Sequence, residues 1–256
     1  MEKMLQRTVL VTGMRGLMGN AILRHLGGKY SFAALNRGRV DGVKSYRADI
    51  KNLDAILPAF KGVETVVHLA GVFRGKPAWK DYLETNIMGT YNVFEASRIS
   101  GVQRIIFASS GATVGGWERE SPYDSIVEGK YESVPHEWPK LTHLTPTRPS
   151  GVYGATKIWG EALGRAYSDL YGISVICLRF GAVNSEDRPV EPRHFAVWCS
   201  QGDVARMVER CIEASPALKY DIFYVSSRNK WCFRDLEHAK EVVGFVPEDS
   251  ADTHRT

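Results

Sequence analysis

The 256-residue chain reads as an α/β protein, a doubly wound parallel sheet followed by a small carboxyl-terminal region. Three observations carry that reading. Strand-like runs such as "RTVLVT", "ETVVHLAG", "QRIIFASS" and "SVICLRFG" are apolar without polar alternation, as strands buried on both faces are. Segments with helical periodicity separate them, and repeated βα units of this length build a doubly wound sheet. A glycine string, "TGMRGLMG", follows the first strand directly and opens the first helix.

Taken in order, "RTVLVT" is a β-branched strand and "GLMGNAILRHLGG" a helix with a glycine stop. "YSFAAL" and "VKSYRAD" are the second and third strands, and "KNLDAILPAFKG" is a short helix. After the strand "ETVVHLAG", the apolar spacing of "WKDYLETNIMGTYNVFEASRISG" predicts one long helix, followed by the strand "QRIIFASS". From Trp117 to Ser150 the pattern dissolves into Pro, Glu, Tyr, Trp and His, a loop length that is usually functional or disordered. Order returns with the helix "GVYGATKIWGEALGRAYSDLYG" and the strand "SVICLRFG". A helix near 201–214, a strand at "DIFYVSS" and a helix around "FRDLEHAKEVVG" close the chain, and the tail "PEDSADTHRT" reads as frayed. The whole is expected to be a single domain, 1–256.

Composition narrows the function classes. The net charge of +4 is small, and the basic residues form no run resembling a nucleic-acid tail, so no nucleic-acid partner is expected. No apolar stretch approaches the roughly 18 residues of a membrane span, and the start lacks a signal-peptide pattern. Cys177, Cys199, Cys211 and Cys232 show no C-x-x-C spacing, which predicts buried thiols and a reducing cytoplasm. His136 and His143 have no carboxylate or cysteine at metal-ligand spacing, so no metal is expected and both read as solvated loop histidines. Trp117 and Trp138 either line a substrate mouth or anchor their loop.

Gly13, Gly16 and Gly19 sit between a buried-type strand and a helix. A tight βα turn alone could need them, but the same context lets the backbone approach a pyrophosphate at the helix N-terminus. About 140 residues later, "SGVYGATKIWGE" puts Tyr153 and Lys157 on one face of a predicted helix. A neighbouring ammonium favours the phenolate, lowering a pKa of about 10 toward the range of a general base. Ser110, ending the strand "QRIIFASS", can hydrogen-bond the reacting oxygen; Ser109 is the alternative.

The set of TG-x-x-G-x-x-G at 12–19, "HLAG" at 68–71, "NIMGTYNVFEAS" at 86–97, "SS" at 109–110 and Y-x-x-x-K resembles the extended short-chain dehydrogenase/reductase superfamily, which includes the NAD-dependent epimerases and dehydratases. The motifs stand in that family's order from Thr8 to Val183. The resemblance implies a Rossmann-type fold, with a dinucleotide-binding part over 1–183 and a small substrate-binding part over 184–256. It assigns the pyrophosphate to Gly13, Gly16 and Gly19, the adenine side to Asp49, and the nicotinamide side to Ala70 and Gly71. Arg15, Leu17, Met18, Asn36, Ile50 and Leu69 complete the implied cofactor contacts. Asn86 would support the proton relay of Ser110, Tyr153 and Lys157, and Lys157 would also touch the nicotinamide ribose.

Within that superfamily the chain is most similar to the uronate dehydrogenase-like branch, in its short length and in "HFAVWCSQGDVARMVERCIEAS" and "GFVPED". The branch oxidises the anomeric carbon of a sugar acid. Its carboxylate-binding arginine corresponds to Arg193, while Phe73, Gly111, Ala112 and Ala182 stand at substrate positions where polar groups would be expected. Prolines on either side of Arg193 limit its loop; Glu191 and Arg188 are near enough for a local ion pair. An NAD enzyme usually presents an acid after the second strand. This chain has Asn36 there, followed by Arg37 and Arg39, which favours NADP over NAD through a charge-assisted pair with a 2′-phosphate; solvated loop arginines are the alternative. The expected activity is hydride transfer between a nicotinamide and a sugar acid or related anionic, carbohydrate-like substrate. Two alternatives remain, a nucleotide-sugar epimerase or dehydratase that recycles a tightly bound nicotinamide, and a non-enzymatic NADP-binding regulator. The apolar spacing of 81–97 and 155–171 permits a homodimer of the family's kind.

Overall fold

A computed structural model of the chain describes residues 7–73, 75 and 77–255. Its centre is a seven-stranded, all-parallel sheet with strand order β3-β2-β1-β4-β5-β6-β7. The strands and their helices alternate as expected: β1 (Thr8–Thr12), α1 (Leu17–Leu26), β2 (Ser31–Asn36), β3 (Lys44–Arg47), α2 (Leu53–Phe60) and β4 (Thr65–His68) form the first half. α3 (Trp79–Asp81), a π-helical stretch (Tyr82–Gly89) and α4 (Thr90–Ile99) then lead to β5 (Arg104–Ser110). After α5 (Tyr123–Glu128), α6 (Val152–Tyr171) and β6 (Ser174–Phe180), the chain adds α7 (His194–Val197), α8 (Gln201–Glu213), β7 (Tyr220–Val225) and α9 (Glu237–Val243). One apolar cluster, with Val9, Ile22, Ile176 and Met207, covers one sheet face; Leu10, Phe60, Phe94 and Phe107 anchor the cluster on the other.

The long helix expected over 79–101 is continuous, but eight of its residues are π-helical. Asn86 lies in that stretch, donating from Nδ2 to the Val72 carbonyl at 3.0 Å and accepting the Val72 N–H at 2.8 Å. Gly89 packs directly on Ile50, where a Cβ would come within 2.6 Å. Such widened turns concentrate at functional positions.

Two expectations are corrected. The segment from Trp117 to Ser150 is not a structureless loop. It holds α5 and short 3₁₀ turns, and its Tyr123, Ile126 and Leu141 share a third core with Ala196, Val197, Tyr224 and Phe233. Leu141 exchanges backbone hydrogen bonds with Phe233 and Asp235, contacts invisible to local sequence. Trp138 stacks on Trp231 with ring centres 5.5 Å apart, and Trp117 donates to the Pro146 carbonyl at 3.0 Å. Both tryptophans anchor the segment.

The tail is not frayed either. Asp203, fully buried, accepts the N–H of Glu248 at 2.9 Å and that of Asp249 at 3.3 Å, the Ser227 hydroxyl at 2.6 Å and Arg206 Nε at 2.9 Å. A 3₁₀ turn (Ala251–His254) follows, with Ala251 buried. Breaking such a buried charged network typically costs about 3–5 kcal/mol. Asp203→Ala is therefore expected to lower unfolding free energy by that order in denaturant titration and to expose the chain after residue 244 to limited proteolysis. Wild-type stability and an intact tail in that variant would contradict the assignment.

Candidate active site

All strands being parallel, their carboxyl ends share one edge, and the strand order reverses between β1 and β4. Segments leaving two neighbouring strands in opposite directions open a crevice there. The crevice is a cleft of about 860 Å³, and the glycine string forms its floor. Gly13 has φ +75°, and a Cβ on it would lie 2.8 Å from the Ala70 nitrogen. A Cβ on Gly19 would overlap the Met14 backbone. The loop can therefore lie flat between β4 and the N-terminus of α1, where free N–H groups and the helix dipole favour a phosphate.

The sequence-predicted cofactor residues converge here. Gly13, Arg15, Gly16, Leu17, Met18, Gly19, Asn36, Arg37, Asp49, Ile50, Leu69, Ala70 and Gly71 all line the cleft. Asn36, ending β2, accepts the Arg15 N–H through Oδ1 at 3.3 Å, while its Nδ2 is buried with no protein partner among the described residues. The Arg15 guanidinium lies against Gly38, where a side chain would collide with it. Arg37 is exposed at the rim; Arg39, outside the lining, is paired with Asp41 at 3.2 Å.

At the other end of the cleft stand Ser109, Ser110, Tyr153, Phe73 and Ala182. Ser110 closes β5 beside Tyr153, which lies in the first turn of α6, and the Ser110 hydroxyl favours the phenolate. The Phe73 ring leans on Tyr153 with centres 5.6 Å apart. Lys157, one turn further, is buried behind the cleft wall, its Nζ 5.7 Å from the Tyr153 ring centre and 4.9 Å from that of Phe107. Asn86, also buried behind the wall, donates to Thr156 Oγ1 at 3.1 Å, and that hydroxyl donates to the Tyr153 carbonyl at 2.7 Å. A Cβ on Gly71 would lie 3.4 Å from both Asn86 Oδ1 and Lys157 Nζ. Asn86 from the π-helical stretch and Lys157 from α6 thus meet at one glycine.

Electrostatics corrects one expectation. Burial pushes the Tyr153 phenol up to about 12, with the Ser110 hydrogen bond pulling in the opposite direction. Burial also drives Lys157 down to about 8, opposed by the negative charge of Glu161. The groups that act on Tyr153 are Ser110 and Tyr82, and the Lys157 ammonium is not among them, so burial sets the direction of the shift. His68, of the "HLAG" string, is fully buried and driven down to about 3. It is therefore neutral, joined to Thr12 Oγ1 at 2.7 Å and Thr90 Oγ1 at 3.1 Å. It braces β1, β4 and α4.

Three predicted substrate residues lie elsewhere. Gly111 and Ala112 turn inward as a 3₁₀ turn, and neither lines the cleft. Arg193 does not line it either. Its Nε and Nη2 donate to Glu118 at 2.6 and 2.7 Å, a partner 75 residues away rather than the neighbouring Glu191. A second cation, Arg234, was not legible in the sequence. Its buried guanidinium presses on Gly111, its Nη2 lies 3.6 Å from Glu118, and its Nε and Nη1 have no partner among the described residues. Two guanidinium groups thus share the Glu118 carboxylate, and Glu191 also acts on Arg193. Among the cleft residues that the sequence reading missed are Gly38, Lys51, Asp81, Glu84, Thr85 and Gly181.

Among the described residues no group of three or more His, Cys, Asp or Glu is placed to hold a metal ion. His136 is exposed, whereas His143 is not solvated but stacked on His238 at 3.8 Å. All four cysteines are buried and free.

Comparison with known proteins places this geometry. A profile of the NAD dependent epimerase/dehydratase family matches residues 9–245. The NAD-dependent glucose-6-phosphate dehydrogenase of Haloferax volcanii is 35% identical over 257 residues, spanning 96% of this chain and 95% of the relative. The L-arabinose 1-dehydrogenase (NAD(P)(+)) of the same organism is 29% identical over 254 residues, spanning 96% and 98%. The crystal structure of uronate dehydrogenase from Agrobacterium tumefaciens superposes with a TM-score of 0.82 at 27% identity, covering 98% of this chain and 87% of that one. The chain belongs to the NAD dependent epimerase/dehydratase family, within the extended short-chain dehydrogenases and reductases, and its likeness to the uronate dehydrogenases is borne out.

Proposed function

We propose that this member of the family is a nicotinamide-dependent dehydrogenase that oxidises the anomeric carbon of an anionic sugar, a sugar acid before a sugar phosphate. The observation that carries the reading is the junction of Ser110 with Tyr153 at one end of a cleft whose other end is the glycine cradle. A nicotinamide bound in the cleft supplies the hydride acceptor. Ser110 is placed to hold the anomeric hydroxyl, and Tyr153 to take its proton as the carbon loses hydride and the C–O bond becomes a carbonyl. Lys157 offsets the charge left on the phenolate, and Asn86 holds the turn carrying Tyr153 through Thr156.

The names of two of the three relatives support an anionic substrate. Residues 184–256 supply Arg193 and Arg234 but also β7, so the substrate part is built into the sheet rather than set apart as a lobe. Loss of Gly111 and Ala112 from the cleft leaves Phe73 and Ala182 as apolar walls. Exposed Leu83, Met88 and Tyr91 support a homodimer through 81–97 and 155–171. No helix among the described residues is long and apolar enough to cross a membrane, and four free thiols suit a reducing cytoplasm.

Oxidised nicotinamide with a uronate, glucose 6-phosphate, L-arabinose or a nucleotide sugar should give net reduced cofactor with one of the two free anionic sugars. L-Arabinose as best substrate would overturn the anion assignment, and nucleotide-sugar turnover without net reduction would overturn the dehydrogenase. Tyr153→Phe should retain cofactor affinity while kcat falls about 10²–10⁴-fold; near-normal kcat would remove Tyr153 from the reaction.

For the cofactor, the missing acid at Asn36 and the guanidinium groups of Arg15 and Arg37 on the lining support NADP over NAD. A charge-assisted pair contributes about 1.5–3 kcal/mol. Arg37→Ala should therefore weaken NADP binding roughly ten- to hundredfold by calorimetry and leave NAD unchanged. Equal losses for both cofactors, or tighter binding of NAD by the wild type, would contradict it.

A further inference from the structure

Directly behind Ser110 and Lys157 lies a buried ion pair that the reaction as described does not use. Glu161, one turn beyond Lys157 on α6, accepts Arg179 Nε and Nη2, each at 2.8 Å, through its two oxygens. Its Oε1 also accepts the Ser109 hydroxyl at 2.5 Å. Arg179 and Ser109 are register partners across β6 and β5, and Arg179 Nη1 donates to Tyr224 of β7 at 3.1 Å. The Tyr220 hydroxyl donates to the Glu161 carbonyl at 3.0 Å. The two charged side chains are 2% and 5% exposed. The carboxylate thus ties α6 to β5 and β6 at the level where β5 delivers Ser110, and Arg179 extends the tie to β7.

We propose that Glu161, held by Arg179 and Ser109, is a positioning residue for the proton relay: it fixes the Ser110 end of β5 against the Lys157 turn of α6 and keeps the Lys157 ammonium charged. This rests on the reading that Ser110, Tyr153 and Lys157 carry the reaction. A buried ion pair contributes little to stability over a well-packed apolar pair, so its placement here calls for a role beyond holding the fold. The surroundings of Lys157 give that role. His68 from β4 is neutral, Asn86 from the π-helical stretch and Phe107 and Ser109 from β5 carry no charge, and Tyr153 on α6 stays protonated, with Tyr82 nearby. Arg179 from β6 is a second cation beyond Glu161, flanked by Tyr220, Tyr224 and a protonated Cys177. Glu161 is the carboxylate that acts on Lys157 among the described residues.

The sign follows directly. Lys157 is charged below about 8 and loses its proton as pH rises through that value; removing the negative charge of Glu161 moves the loss to lower pH. Glu161→Gln keeps the size and an acceptor for Ser109 and Arg179. In protein carrying ¹³C-labelled lysine, the Lys157 titration midpoint should fall by about one pH unit. The alkaline limb of the kcat profile should move with it, about fivefold in kcat at pH 8 with KM unchanged, and Glu161→Asp should restore both. A Glu161→Gln protein with a lowered melting temperature but an unmoved Lys157 midpoint would reduce the pair to a structural role. If that variant does not fold, Glu161→Met with Arg179→Met removes both members of the buried ion pair and carries the same readouts. The Lys157 midpoint needs no substrate, so it decides this proposal separately from the sugar screen that decides the reaction.

Discussion

The sheet is all-parallel, and its strand order reverses once, between β1 and β4. Every other functional feature depends on that constraint. Parallel strands put Thr12, Asn36, His68, Ser110 and Phe180 at one edge, and the reversal separates the loops that leave β1 and β4. The glycines matter because of this reversal: at φ +75° and 2.8 Å from the Ala70 nitrogen, position 13 has no space for a side chain.

Burial sets the chemistry of the site and works against its charged groups. Desolvation raises Tyr153, lowers Lys157 and keeps His68 neutral. Opposing it are the Ser110 hydroxyl and the charge of Glu161, both carried by secondary elements rather than by loops. Ser110 terminates β5, Glu161 sits mid-α6, and Asn86 is turned inward by a π-helical stretch. Rigid elements place these groups to within the tolerance that proton transfer needs.

The sheet was legible because fully buried strands are continuous apolar runs and because the glycine string has fixed flanks. Tyr153 and Lys157 were legible because their relation is local, four residues on one helix. What escaped the sequence is long-range. Arg193 finds Glu118 rather than Glu191, Leu141 pairs with Phe233, and Asp203 gathers the tail. Arg234 carried no signal at all, since its neighbour Gly111 lies more than a hundred residues away. Glu161 did carry one: an acid on the buried face of a helix, one turn beyond Lys157, needs a partner, and "ICLRF" places an arginine in an otherwise apolar strand.

The central claim is that the carbon held at Ser110 and Tyr153 gives up its hydride for good. The most direct measurement uses a uronate bearing deuterium at the anomeric carbon, with oxidised NADP and NAD in separate reactions, followed by nuclear magnetic resonance. The account predicts one deuterium on the nicotinamide ring for each lactone formed, accumulating in the free cofactor. Product that retains its deuterium, or deuterium that returns to the sugar without appearing in the cofactor pool, would contradict it.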